Sequence, residues 1–268
     1  MYWNIILYVC IFIVFILFIV FLVFLYDKVQ SLLKTLQTKE NYIDYDDNII
    51  FLSKNDLENI LISDNDNFYN RFYKIDFELR KINNISEYTT KIKNSVADFT
   101  ENEKKYISEI IKSINYKFEN IDLPWLNGKK FNKLKWKIGL VNGYEYENGL
   151  PHTRGEYIII HRDQINRHSF SKTMIHEKVH VYQKIYQEDA ELFLKLNNFK
   201  KIRKVNESDM IRANMDIDEW IYADQNNNEY KAVFNKNPVD IQDVTFSPCN
   251  SQSCEHPFEK MAIDISRI

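Results

Sequence analysis

The sequence predicts a mixed α+β protein, with a small sheet packed on one motif-bearing helix and a cleft beside it, preceded by an N-terminal transmembrane helix and a helical extension. Three observations predict it. Ile5 to Tyr26 is an apolar run without a charged residue. Trp136 to Val141 and Glu156 to His161 are β-prone segments. Lys172 to Tyr186, uninterrupted by Gly or Pro, carries His176-Glu177-Lys178-Val179-His180. A net charge of −3 from 35 basic and 38 acidic residues gives no polyelectrolyte character, which excludes nucleic acid as the main partner.

Taken in order, the apolar run comes first. Its 22 positions span roughly 33 Å as a helix, enough for a bilayer core. No basic region precedes it and no small-residue cleavage site ends it, so it reads as an uncleaved anchor. Lys28, Lys34 and Lys39 follow the run, and the positive-inside rule then places the body of a single-pass protein on the cytoplasmic side. Sequons at Asn84 and Asn206 would argue the other way if used. Val29, Leu32, Leu33 and Leu36 extend the helical spacing into a stalk, and the acidic stretch Glu40 to Asn48 is a linker. The chain thus divides into an anchor (1–26), a stalk and linker (27–48), a helical N-terminal extension (49–98) and a catalytic domain (99–268).

Within the extension, short helices are expected around Asp56 to Ile62 and Ser86 to Ile92. Thr100-Glu-Asn-Glu103 is a capping box, and Ile107, Ile110, Ile111, Ile114 and Phe118 then fall on one helical face, which marks a core-facing helix. The two strand candidates follow, the second just ahead of the motif helix, where a substrate peptide could pair with an exposed edge. Ser169 and Ser171 are suitable N-caps for the motif helix. Ala190 to Leu196 is a second amphipathic helix, with Lys200 to Lys204 as its solvated basic end. Of the three cysteines, Cys249 and Cys254 form one close pair. Reduced thiols, a loop disulfide and metal ligation stay open there, with a structural role favoured.

His176-Glu-Lys-Val-His180 is an H-E-x-x-H sequence. Positions four apart lie one turn above each other on a helix, so the two imidazoles can serve one ion while Glu177 sits beside them. A catalytic zinc takes three protein ligands and leaves a position for water, so a third ligand must come from another element. Position 186, where a third histidine would continue one common pattern, is Tyr. The C-terminal stretch Glu255 to Ala262 reads as a helix start with Pro257 at its first position, and Glu259 in the first turn is the preferred third ligand. His256 and Glu255 are the alternatives, less fixed in direction because they precede proline. Glu177 is the expected general base. His152, Arg154 and Tyr230 are candidates for the donor that meets developing oxyanion charge, and Gln183 for orienting His180.

Gly149-Leu-Pro-His-Thr-Arg154 ahead of an Ile-rich strand, Ile175-His-Glu-Lys-Val-His-Val-Tyr-Gln183, Asp216-Ile-Asp-Glu-Trp-Ile-Tyr222 and Glu255-His-Pro-Phe-Glu-Lys-Met-Ala262 together resemble the zinc metallopeptidases encoded by giant DNA viruses. The likeness covers roughly Phe99 to the end. It implies a zincin-like domain with a gluzincin-like site, carries Glu259 over as ligand, and implies a viral or host membrane as the location. The expectation is a membrane-anchored zinc peptidase acting on a peptide or protein substrate. The alternative is a catalytically inactive, zinc-stabilised structural or virion-associated protein.

Overall fold

The computed structural model describes residues 25, 26, 28, 29, 47–212 and 217–268. The chain divides into two compact units, Met1–Tyr45 and Asp46–Ile268. In the first, the four described residues are helical. The expected transmembrane helix, and the single-pass, cytoplasm-facing placement deduced from it, are not supported: among the described residues no helix is long and apolar enough to cross a membrane. The apolar run itself lies outside the described residues except for Leu25 and Tyr26, as does the acidic linker except for Asp47 and Asn48.

The second unit is α+β. In chain order it runs β1 (Ile49–Phe51), α1 (Lys54–Ser63), α2 (Lys74–Leu79), α3 (Ile85–Ser95), β2 (Val96–Ala97), α4 (Glu101–Phe118), β3 (Asp122–Leu123), β4 (Leu126–Asn127), α5 (Gly128–Lys133) and β5 (Trp136–Val141). There follow β6 (His152–Arg154), β7 (Tyr157–His161), α6 (Phe170–Ile185), α7 (Gln187–Leu196), β8 (Lys200–Lys204), β9 (Trp220–Ala223), β10 (Glu229–Phe234), β11 (Val244–Ser247) and α8 (Pro257–Ser266).

The central sheet is built on β5. One edge of β5 pairs in parallel with β7 over its whole length. Its other edge is shared, with β1 parallel from Ile49 opposite Trp136 and β2 antiparallel from Val96 opposite Val141. Antiparallel β6 closes the far side of β7. Residues 49–98, expected as a helical extension, therefore supply two strands of this sheet. The short strands escape sequence reading because a segment such as Ile-Ile-Phe has no period of its own and is defined by its partner.

Alternation along the strands assigns two cores. Ile138, Leu140, Ile158 and Ile160 face a cluster with α4, α6 and α8, through Ile107, Ile111, Val179 and Met261 among others. Val141 and Ile159 face the opposite cluster, with Leu57, Leu61, Tyr88 and Ile92 of α1 and α3. The sheet is thus covered on both faces, and the strands read as continuous apolar runs. Gly139 lets α1 approach: a Cβ there would lie 2.5 Å and 2.9 Å from the two methyls of fully buried Leu57. Gly139→Ala is expected to cost about 1–3 kcal/mol through overpacking, read as a lower urea midpoint with unchanged slope.

α4 begins at Thr100 with both halves of the capping box in place. α6 is buried on nearly every side. Its Lys178, fully buried, donates to the Leu134 carbonyl and lies 3.9 Å from the centre of the Trp136 ring, which ties the motif helix to the start of β5. α7 ends where Asn198 takes φ of 57°, and the next residues form no solvated helix end. Lys200–Lys204 is β8, the edge of a second, four-stranded antiparallel sheet ordered β11-β10-β9-β8. Charged side chains on such an edge discourage further strand pairing. β7, expected to offer an exposed edge, has none, because β5 and β6 flank it. The outer strand β6 is itself buried, with Phe68 packed 5.8 Å from the His152 ring.

Candidate metal centre

His176 and His180 lie one turn apart on α6, and their Nε2 atoms face each other at 3.0 Å. Glu259 reaches them from α8. That helix starts as its sequence dictates: His256 is the N-cap, its Nδ1 accepting the Phe258 N–H at 3.1 Å, and Pro257 follows at the first position. Buried Met261 and Ala262 lie one short step beyond, and the small Ala262 side chain belongs to the core shared by α6 and α8. Glu259 Oε2 comes within 3.2 Å of His176 Nε2, and Oε1 within 3.3 Å of His180 Nε2. Each residue offers one ligand atom and all three atoms lie within 4.8 Å of one another, an arrangement that could hold a metal ion.

Burial works against the charge of Glu259, yet the imidazoles of His180 and His176 hold its carboxyl well below the usual range, so it stands as a carboxylate. Gln183 fixes the tautomer of His180. Its amide nitrogen donates to the Phe258 carbonyl at 2.9 Å, so its oxygen must be the acceptor that meets His180 Nδ1 at 2.9 Å. His180 Nδ1 therefore carries a proton, which in the neutral ring leaves Nε2, the nitrogen that faces the site, as the one able to ligate. One amide thereby orients a candidate ligand and joins α6 to α8. Gln183→Ala is expected to weaken metal binding by roughly 10–100-fold, measured by competition with a chelator of known affinity.

Both alternatives to Glu259 are occupied otherwise. Glu255 is held by Arg212, whose Nε and Nη2 donate to its two oxygens at 3.0 Å and 2.6 Å. His256 spends one nitrogen on the helix cap and donates the other to Asp218 Oδ1 at 3.0 Å. The second oxygen of Asp218 accepts the Tyr222 hydroxyl at 2.8 Å. Burial opposes the charge on Asp218, but the His256 hydrogen bond and its other partners keep its carboxyl below the usual range. Sequence reading missed Asp218 as the anchor of this cap, and a histidine placed just before a helix-starting proline was the available signal. Cys249 and Cys254 form a disulfide immediately ahead of this helix. From the loop they close, Gln252 donates to Glu259 Oε2 at 3.3 Å.

The three ligand candidates and Glu177 line one cavity of about 490 Å³. Glu177 is buried, 4% exposed, directly after the first histidine. His152 also lines the cavity, but its Nδ1 meets the Leu150 carbonyl and its Nε2 the Tyr146 hydroxyl, both at 2.9 Å. Arg154 does not line it. Fully buried, it ion-pairs with Asp64 and Asp66 at 2.8 Å each. Tyr230 is also absent from the lining and packs at 4.8 Å against the Phe199 ring. The structure thus gathers His176, Glu177, His180, Gln183 and Glu259, with His152 on the cavity wall, and leaves Arg154 and Tyr230 elsewhere. Comparison of the chain with protein-family models, with curated proteins and with solved structures returns no match.

Proposed function

We propose that this chain is a zinc-dependent peptidase. The observation that carries the proposal is the convergence of Glu259 on His176 and His180 in a cavity that also contains Glu177. The donor set fits zinc. Bonds of about 2.0–2.1 Å in a tetrahedral arrangement put neighbouring ligand atoms about 3.3 Å apart; here the two imidazole nitrogens are 3.0 Å apart, and each has a different oxygen of Glu259 beside it, Oε2 at 3.2 Å from His176 and Oε1 at 3.3 Å from His180. Two imidazoles and a carboxylate are borderline ligands of the type zinc takes in hydrolytic sites. The likeness to the giant-virus metallopeptidases rests on residues that include this set and points the same way.

A bound zinc ion supplies Lewis-acid chemistry, lowering the pKa of a water toward neutrality and drawing charge onto a carbonyl oxygen. The chain's own residues do the rest. Glu177 accepts a proton from the attacking water as its oxygen bonds to the carbonyl carbon and the C=O π pair moves onto the carbonyl oxygen. Glu177 then hands that proton to the amide nitrogen, the C–N bond breaks, and the electron pair on oxygen re-forms the carbonyl. His180 is kept in its ligating tautomer by Gln183, and Gln252 steadies one oxygen of Glu259. A cavity of about 490 Å³ falls in the range of sites that bury a ligand of a few residues.

The test combines metal analysis of the full-length chain after zinc reconstitution with cleavage of a quenched-fluorescent peptide library. About one zinc per chain together with peptide cleavage is the expected result. Zinc without cleavage of any peptide would favour the structural alternative, and absence of zinc would remove the proposal.

A further inference from the structure

Resting on the peptidase reading, the site still needs a donor, fixed in place before reaction, for the carbonyl oxygen as it gains charge. The donors expected from sequence do not supply one: Arg154 and Tyr230 lie outside the cavity, and both ring nitrogens of His152 are engaged. Three cations line the cavity, namely Arg80, Lys172 and Arg212. Arg80 is committed to two carboxylates, with Nε and Nη2 on Glu147 at 2.8 Å and Nη1 on Asp76 at 2.9 Å, so its charge is more than balanced. Lys172 is exposed on a long, flexible stem and has no hydrogen bond or ion pair among the described residues.

Arg212 differs on each count. Its backbone N–H is bound to the Ala232 carbonyl of β10 at 2.8 Å, which pins the main chain. Its guanidinium is locked by Glu255 through two hydrogen bonds and by the Ile241 carbonyl through a third, at 3.1 Å. Phe246, another wall of the cavity, has its ring centre 5.9 Å from the guanidinium carbon. Glu255 is its one carboxylate partner among the described residues and stands one residue ahead of the cap of α8, the helix that presents Glu259. The planar fork is therefore positioned by the same element as the third ligand. A guanidinium has five N–H groups, and the three bonds above leave one on each Nη without an acceptor among the described residues.

We propose that Arg212, oriented by Glu255, is the catalytic cation that donates to the carbonyl oxygen of a peptide substrate as negative charge develops there. It contributes to the transition state more than to ground-state binding, because the neutral carbonyl attracts it less than the oxyanion does.

The test uses the zinc-loaded full-length chain with a quenched-fluorescent peptide found in the library screen, and with a phosphinic peptide, whose tetrahedral oxygens carry the charge of the adduct. Arg212→Met is expected to lower kcat by roughly 10²–10³-fold with KM changed only a few-fold. Affinity for the phosphinic peptide should fall by at least about 50-fold, while zinc affinity by chelator competition stays within a few-fold. Arg212→Met leaves Glu255 buried without its cation, so Arg212→Lys, which keeps a charge for Glu255, and Arg212→Met/Glu255→Gln, which removes both charges, serve as folding controls. The double variant should show the same loss of kcat and of phosphinic-peptide affinity, and Arg212→Lys a smaller one, each with a normal melting transition. If the double variant turns over within about threefold of the parent, the Arg212 assignment is overturned and the peptidase reading stands. A zinc-loaded parent that cleaves no peptide removes the peptidase reading and this one with it.

Discussion

Glu177→Gln is expected to abolish peptide hydrolysis, with kcat falling on the order of 10⁴-fold, the upper end for loss of a general base, while the protein binds zinc as the parent does. The two halves of this result follow from where Glu177 sits. It neighbours His176 in sequence and lines the same cavity, yet the group of two imidazoles and one carboxylate that could hold a metal ion does not include it. Glutamine keeps the volume and a hydrogen-bonding end in this buried position but cannot take a proton from water. Metal analysis and turnover on the same preparation make the comparison. Zinc content that falls with activity would turn Glu177 into a ligand and displace Glu259. Turnover retained within about tenfold would take the proton-transfer role from it.

Glu259→Ala is expected to have the second large effect, on the metal itself. Losing a supporting contact costs roughly 10–100-fold in affinity, and losing one of three ligands must cost more. The variant should fail to retain stoichiometric zinc through dialysis, and hydrolysis should vanish with the metal. Thermal unfolding gives an independent readout, since a ligand that binds only the folded state raises the transition by mass action. Added zinc should raise the melting temperature of the parent and leave that of Glu259→Ala unmoved. A variant that still gains stability from stoichiometric zinc would show that the carboxylate from α8 is not part of the ligand set.

How much of this was legible in the sequence depended on whether the signal was local. The capping box at Thr100, the apolar stripe of α4, the β-prone run of β5 and the proline start of α8 are each written within a few residues, and each element forms where its signal lies. The placement of Glu259 beside His176 and His180 was also readable, because a carboxylate in the first turn of a proline-started helix projects from a rigid element. What was hidden depends on partners far away in the chain. β1 and β2 exist because β5 offers an edge. The basic segment Lys200–Lys204 became a strand because β9 pairs with it, where composition alone suggested a helix end. Arg154 looked available to a substrate because Asp64 and Asp66, which bury and neutralise it, come from a turn about 90 positions earlier. Arg212 carried no motif at all, and only its fold neighbours Glu255 and Ile241 give it a direction. The apolar N-terminal run was the strongest local pattern in the chain, and the membrane helix drawn from it has no counterpart among the described residues.

The central claim is that His176, His180 and Glu259 hold one zinc ion. X-ray absorption at the zinc edge of the reconstituted full-length chain tests it most directly. The expected spectrum has two imidazole nitrogens and a carboxylate oxygen in the first shell, at about 2.0–2.2 Å, and the imidazole scattering is lost in a His176→Ala/His180→Ala variant. A first shell containing sulfur at about 2.3 Å, or a parent chain that retains no zinc, would contradict it.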